Sequence, residues 1–405
     1  MNDKASRKTP IVAAIVLLVA AIAWCLNVLI YTNSGQKCVF YQNAERDYFC
    51  DFFMPRAVVD MPVPYVEMCA SDWIEGNSVR RPDQCYPALA NFWVGLFPEN
   101  LTGAVLCTVI GVVVFIWGMV VFFRRTIPDK VLIATSIVCS SSPFLFAVGV
   151  GNLILYTVGF SFVFLAWYDS TSRWRKSVAA LALAIAAVLK IVPVLLGVAY
   201  LGRGWSSRCR YAFASAIIAI LLFFIPFCFC GGVDAISAWM ENAQMNSSVS
   251  ARENMFGLVG FVSELMGSFA LDELPYYGWL ILRIVSSGLG LVLLVSSCIS
   301  GNNSWTRLGT IVIGMFFVPP TMKCYTVLYV IPVVISGMYH DNGKISKLSA
   351  VCCVSMCMLL QVPLFLGPLG SLNVCFADAA SVDLAMILAL SLCGGAKRGD
   401  AAHGS

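Results

Sequence analysis

Runs of mostly apolar residues, several about 20 long, constrain this chain more than anything else in it, beginning with Ile11–Ile30 and Leu101–Phe123. A helix of about 20 such residues crosses a hydrocarbon layer about 30 Å thick. Inside that layer every backbone N–H and C=O must be satisfied within a helix or a closed barrel. The runs fall at residues 11–31, 101–123, 130–148, 153–168, 177–190, 192–202, 211–230, 276–298, 308–322, 324–338, 348–366 and 379–393. They predict an all-α fold: a polytopic transmembrane helical bundle of about twelve spans, several too short to cross unbroken. Bulk composition agrees, with 59% hydrophobic and 12% charged residues against roughly 25% charged in soluble domains. Mean hydropathy is +0.83. The net charge of +4 is scattered through short loops, with no basic stripe interleaved with aromatics, and this excludes nucleic acid as a partner.

Loop charge orients the bundle. Lys4, Arg7 and Lys8; Arg124, Arg125 and Lys130; Arg173, Arg175 and Lys176; and Arg203, Arg208 and Arg210 fall on one side. Arg307, Lys344, Lys347, Lys397 and Arg398 join them, and the opposite loops hold most of the acids. By the positive-inside rule, both termini are expected in the cytoplasm of a bacterial-type cell membrane. Residues 11–30 are longer than a cleavable apolar core and run on into Val28, Leu29, Ile30 and Tyr31, and they read as an uncleaved first span. We expect one integral membrane domain over residues 1–405. Its extracytoplasmic loops, about 32–98 and 231–275, form the active face, and 394–405 is a short cytoplasmic tail. Residues 82–98 read as a partial or interfacial helix, and 251–266 as an amphipathic one.

The first loop is large and acidic, and its aromatics, Tyr48, Phe49, Phe52, Phe53 and Trp73 among them, supply apolar surface for a folded platform. It also holds Cys38, Cys50, Cys69 and Cys85, which outside the cell predict at least one disulfide, with three pairings open. Most other cysteines lie in apolar runs and read as small core residues. No Cys-x-x-Cys or His-rich metal pattern occurs, so no zinc site or other protein-built metal site is expected, and dependence on a divalent ion stays open.

Four polar features invite a chemical reading. Asp51, in CDFFMPRA, can act as a general base, or be a solvated loop acid like Glu45 and Asp47. Asn152 closes the VGVGN turn, where it can bind a sugar hydroxyl or simply end a helical hairpin. Lys190 sits mid-way along the apolar stretch 177–201, between two basic ends. Two like ends need an even number of crossings, so the chain must turn near Lys190 and Pro193. Lys190 there can hold a lipid-linked phosphate or snorkel to the interface. Lys323, beside Pro319 and Pro320, repeats the pattern.

The order of these pieces resembles the GT-C class of membrane glycosyltransferases that use polyprenyl-phosphate sugars, and within it glycosyltransferase family 87. Asp51-Phe52 is similar to the family's Asp-Phe, and Tyr86-Pro87-Ala88 to its Tyr-Pro-Pro. Gly149–Asn152 stands for Gly-Gln-x-Asn, Lys190 and Pro193 for Lys-x-x-Pro, and Asn246–Ser248 for Asn-x-Ser. Of a final Ser-Pro-x-x-Trp-x-His-Tyr segment only Pro319 and Tyr325 match. Met322 and Cys324 replace Trp and His, and Val150 replaces Gln.

The resemblance implies transfer of mannose, or a related hexose or pentose, from a polyprenyl-phosphate donor to a hydroxyl of a lipid or cell-envelope glycan. Asp51 would be the base. Lys190, Lys323, Arg252, Arg56, Asn152, Tyr86 and Asn246 would bind donor phosphate and substrate, with membrane lipids around them and no cofactor. The alternatives are a transporter or flippase for a lipid-linked saccharide, with Lys190 and Arg283 on its path, and an envelope polymer ligase. Paired broken repeats would mark the transporter, and none is visible.

Overall fold

The computed structural model describes residues 11–19, 22, 49–56, 59, 86–201, 205–249, 259, 262, 266, 275–299, 305–319 and 324–340. The fold is all-α, with no strand among these residues. Its helices are α1 (Cys50–Arg56), α2 (Ala88–Gly95), α3 (Leu101–Thr126), α4 (Val131–Cys139), α5 (Ser142–Gly149) and α6 (Ile154–Trp167). They continue as α7 (Arg173–Leu189), α8 (Trp205–Cys228), α9 (Gly232–Val249), α10 (Tyr276–Ile299), α11 (Trp305–Phe317) and α12 (Val330–His340). Most of the first loop, three of its four cysteines and the last two predicted spans lie outside the described residues.

Three of the described helices are long and apolar enough to cross a membrane: Leu101–Thr126, Arg208–Cys228 and Tyr277–Cys298. A pair bent by 60°, Pro128–Cys139 with Pro143–Gly149, makes a fourth crossing if read as one. At 1.5 Å per residue, the 26 residues of α3 reach about 39 Å, more than the hydrocarbon layer. Asn100 starts α3 by accepting the Gly103 amide at 3.0 Å, and Arg124 and Arg125 end it. Its outer stripe, including Leu106, Val109, Ile110 and Val113, is exposed, and α8 and α10 carry similar stripes. Such bare apolar surface fits hydrocarbon and not water. This is an integral membrane protein.

Other apolar helices among the described residues are shorter. α6 has only 14 residues, and 12 of them are buried. A helix surrounded by protein need not match the bilayer. Its hydroxyls are satisfied internally, Thr157 donating to the Leu153 carbonyl at 2.9 Å and Ser161 to the Thr157 carbonyl at 2.7 Å.

α3 and α6 run parallel. Contacts advance together along both helices: Cys107 with Tyr156, Phe122 with Phe162 at 4.7 Å between rings, and Arg125 with the Ala166 carbonyl at 2.8 Å. Glycine permits the approach, since a Cβ on Gly118 would overlap the Gly159 carbonyl, and one on Gly159 that of Val114. The antiparallel pair α10 and α11 uses the same device at Gly290 and Gly314. There Ser286 and Ser287 donate to the carbonyls of Phe317 and Val318, at 3.2 and 2.7 Å. These bonds satisfy the carbonyl of the last residue of α11 and that of the residue after it. Buried Arg307 ties the opposite end together, donating to the carbonyls of Ser297, Ala199 and Leu201.

Candidate active site

The described part of the first loop docks on the 149–152 turn. The Phe49 amide donates to the Gly149 carbonyl at 2.9 Å, and the Asp51 amide to the Val150 carbonyl at 3.0 Å. Gly151 has φ +67°, in the left-handed region where a side chain is strained, and a Cβ there would meet the Phe49 ring at 3.0 Å. The short VGVGN turn is therefore shaped to receive α1. Asp51 sits in the first turn of that helix.

Asn152 joins the two segments. Its side chain is 1% exposed. Its Nδ2 donates to Asp51 Oδ2, and its Oδ1 accepts the Ile154 amide at 2.8 Å. Both ends of the amide are thereby committed, which fixes its orientation. The next residue on each side is apolar: Phe52 and Leu153 enter one buried cluster with Ala90, Val94, Ala104, Cys107, Tyr156 and Leu189. The carboxylate is anchored by Phe52 below and by Asn152 beside it.

Lys190 follows Leu189 of the same cluster. α7 stops there: Lys190 is extended, with φ −148° and ψ 121°, and a 3-10 segment runs from Val192 to Tyr200. The Lys190 ammonium lies 5.4 Å from the centre of the Tyr86 ring and 4.9 Å from that of Tyr325, within cation–π range. Tyr325 stacks on Phe146, with centres 6.1 Å apart, and Tyr86 packs against the Phe52 cluster. Thus Asp51 and Asn152 meet directly, Lys190 and Tyr86 meet directly, and one apolar cluster carries both pairs at the same end of the bundle.

Arg56 is held differently. Its Nε donates to the Phe97 carbonyl at 3.0 Å and its Nη1 lies 4.0 Å from Glu99. The guanidinium therefore ties α1 to the α2–α3 connection. Asn246 lies within helix α9, its side chain outside the described residues, as are Arg252 and Lys323. The role of Tyr325 as a ring against Lys190 is not readable from local sequence, because 135 positions separate the two. Its only sequence signal is the match to the family's final segment. Among the described residues no group of His, Cys, Asp and Glu is arranged to hold a metal ion.

The long apolar helices and their bare outer stripes define a membrane-embedded helical protein with a polar cluster at one end. Glycosyltransferase family 87 matches residues 87–322, more than half of the 405, and the chain belongs to that family. No curated protein is significantly similar to it. The matched region contains Asn152, Lys190, Asn246 and Arg252, while Asp51, Arg56, Tyr86 and Lys323 fall outside it. Family membership makes the protein a glycosyltransferase and favours transfer over transport.

Proposed function

We propose that the protein moves a sugar, mannose or a related hexose or pentose, from a polyprenyl phosphate to a hydroxyl of a lipid or cell-envelope glycan. The acceptor oxygen attacks the anomeric carbon, and the bond from that carbon to the phosphate oxygen breaks. The hydroxyl proton passes to Asp51, and polyprenyl phosphate leaves as an anion. That departure needs no acid, so one carboxylate and a few cations suffice without a metal. A positioned base typically supplies about 10²–10⁴-fold.

Lys190 binds the donor phosphate in this reading. Its flanking rings attract the ammonium and hold it at the end of the bundle that carries Asp51. Lys323 and Arg252 add positive charge, Asn246 and Asn152 contact sugar or acceptor, and Tyr86 orients Lys190. Arg56 serves as a tether for α1. The single membrane domain has about twelve spans, with both termini in the cytoplasm of a bacterial cell membrane. Its active face is built from the loops at about 32–98 and 231–275.

The observation that carries this reading is the Asn152–Asp51 hydrogen bond, which holds a carboxylate at the same bundle end as the ringed Lys190. The test is incubation of the purified protein with a panel of polyprenyl-phosphate sugars and membrane lipids, read by mass spectrometry. Asp51→Asn keeps the shape and removes the base. Transfer should fall by at least about 10²-fold while donor binding persists. An active Asp51→Asn beside an inactive Asp47→Asn or Asp60→Asn would transfer the role to another carboxylate, and indifference to all three would defeat the mechanism.

A further inference from the structure

A cleft of about 520 Å³ opens at the other end of the bundle, between the C-terminal ends of α3 and α6 and the start of α7. The parallel α3 sets its distance from Asp51. From Cys107, level with the Phe52 cluster, to Arg125 is 18 residues, or about 27 Å. This volume is in the range of small-ligand sites, roughly 300–1,000 Å³.

Its wall sets three arginines, Arg124, Arg125 and Arg175, against one acid, Asp169. Arg125 is already committed. It reaches Asp169 at 2.7 Å and donates to the Leu165 and Ala166 carbonyls at 3.1 and 2.8 Å, which makes it a fixed floor. Arg175 lies 5.9 Å from the Trp167 ring centre, a neutral partner that leaves its charge in place. Arg124 is exposed, and Ser170 and Thr171 add hydroxyls to the wall. The surroundings raise the positive potential further. Arg208, 6% exposed, lies over Tyr168 at 5.4 Å, and Arg125 lies near the same ring at 5.7 Å. The first turn of α7 holds no acid, and basic Arg173, Arg175 and Lys176 stand at the helix end that prefers anions.

We infer that this cleft is a binding site for a phosphate group, carried by an anionic lipid headgroup or present as free orthophosphate. Arginine's planar donor fork suits phosphate, and here two such forks face one recess above a third. The inference stands apart from the transfer reaction, because none of these residues belongs to the Asp51 site.

The test uses the full-length protein in detergent, with thermal unfolding followed in orthophosphate against chloride at matched ionic strength. A second arm measures lipid retention by native mass spectrometry after passage through vesicles of equal phosphatidylglycerol and phosphatidylcholine. A rise in the midpoint with orthophosphate identifies a free-ion site. Selective retention of phosphatidylglycerol without that rise identifies a headgroup site, and either result supports the inference. The double variant Arg124→Gln/Arg175→Gln should lose the effect by about tenfold in ligand concentration, and Arg124→Lys/Arg175→Lys should keep most of it. If the double variant does not fold, Arg124→Gln alone, on an exposed position, should weaken the effect at least about twofold. No effect in either arm, or the same effect in wild type and glutamine variants, overturns the inference.

Discussion

Asn152 is the residue whose loss should be most informative. Asn152→Ala removes the donor to Asp51 and leaves the Ile154 amide without its side-chain acceptor. An unsatisfied buried group costs about 1–3 kcal/mol, so a lower melting temperature is expected. Turnover should fall as well, because Asp51 loses its fixed orientation. Comparing the two readouts tests the positioning role. A variant that melts early yet turns over normally would show that the bond serves the fold alone.

The rings around Lys190 make a second prediction. Tyr325→Phe retains the ring and should leave donor affinity unchanged, whereas Tyr325→Leu should weaken it by about 0.5–2 kcal/mol. Donor titration at constant acceptor measures both. Equal affinities for the two variants would mean that the ring does not hold the cation. Individual candidates were legible in the sequence: a carboxylate beside two phenylalanines, an asparagine after two glycines, a lysine where the chain had to turn. Their partnerships were not. The Asp51–Asn152 bond spans 101 positions, and no local spacing encodes a contact of that range.

Elements repeat the lesson at larger size. The apolar runs made the all-helical class legible, because hydrocarbon leaves the backbone few choices. They do not separate a helix facing lipid from one enclosed by protein, since both sides are equally oily. α6 illustrates this, with an apolar run much like that of α3 but a buried position and about half the length. The glycines that seat it were also silent, because a small residue announces its purpose only when its neighbour is known. Gly159→Leu should force α3 and α6 apart and destabilise the protein by at least about 1–3 kcal/mol, the usual effect of overpacking. Gly288→Leu is the control, since nothing lies within 4 Å of a Cβ there. Thermal unfolding of the two in the same detergent checks the difference, and equal midpoints would remove the seam from the account.

For the whole molecule, the parallel course of α3 and α6 adds a geometric constraint to loop charge. Both helices descend from the Asp51 end, so Arg124 and Arg173 must share one face, and Asn100 must lie on the other. The proposed topology, read from loop charge, puts that face in the cytoplasm. Single cysteines at positions 100 and 246 should react with an impermeant reagent applied from outside, and those at 124, 173 and 344 should not. External labelling at position 173 would invert the arrangement.

The parallel pair also dictates an order of assembly. Two helices joined by a short hairpin can meet as soon as the second emerges, but α3 and α6 cannot, because α4 and α5 lie between them in the chain. Gly159 is synthesised about 40 residues after Gly118, a delay of roughly 2–8 s at about 5–20 residues per second. During that interval the glycine face of α3 waits in the bilayer without its mate. Its closure, and with it the seat for Asn152, requires a second, non-adjacent helix rather than the insertion of any single one.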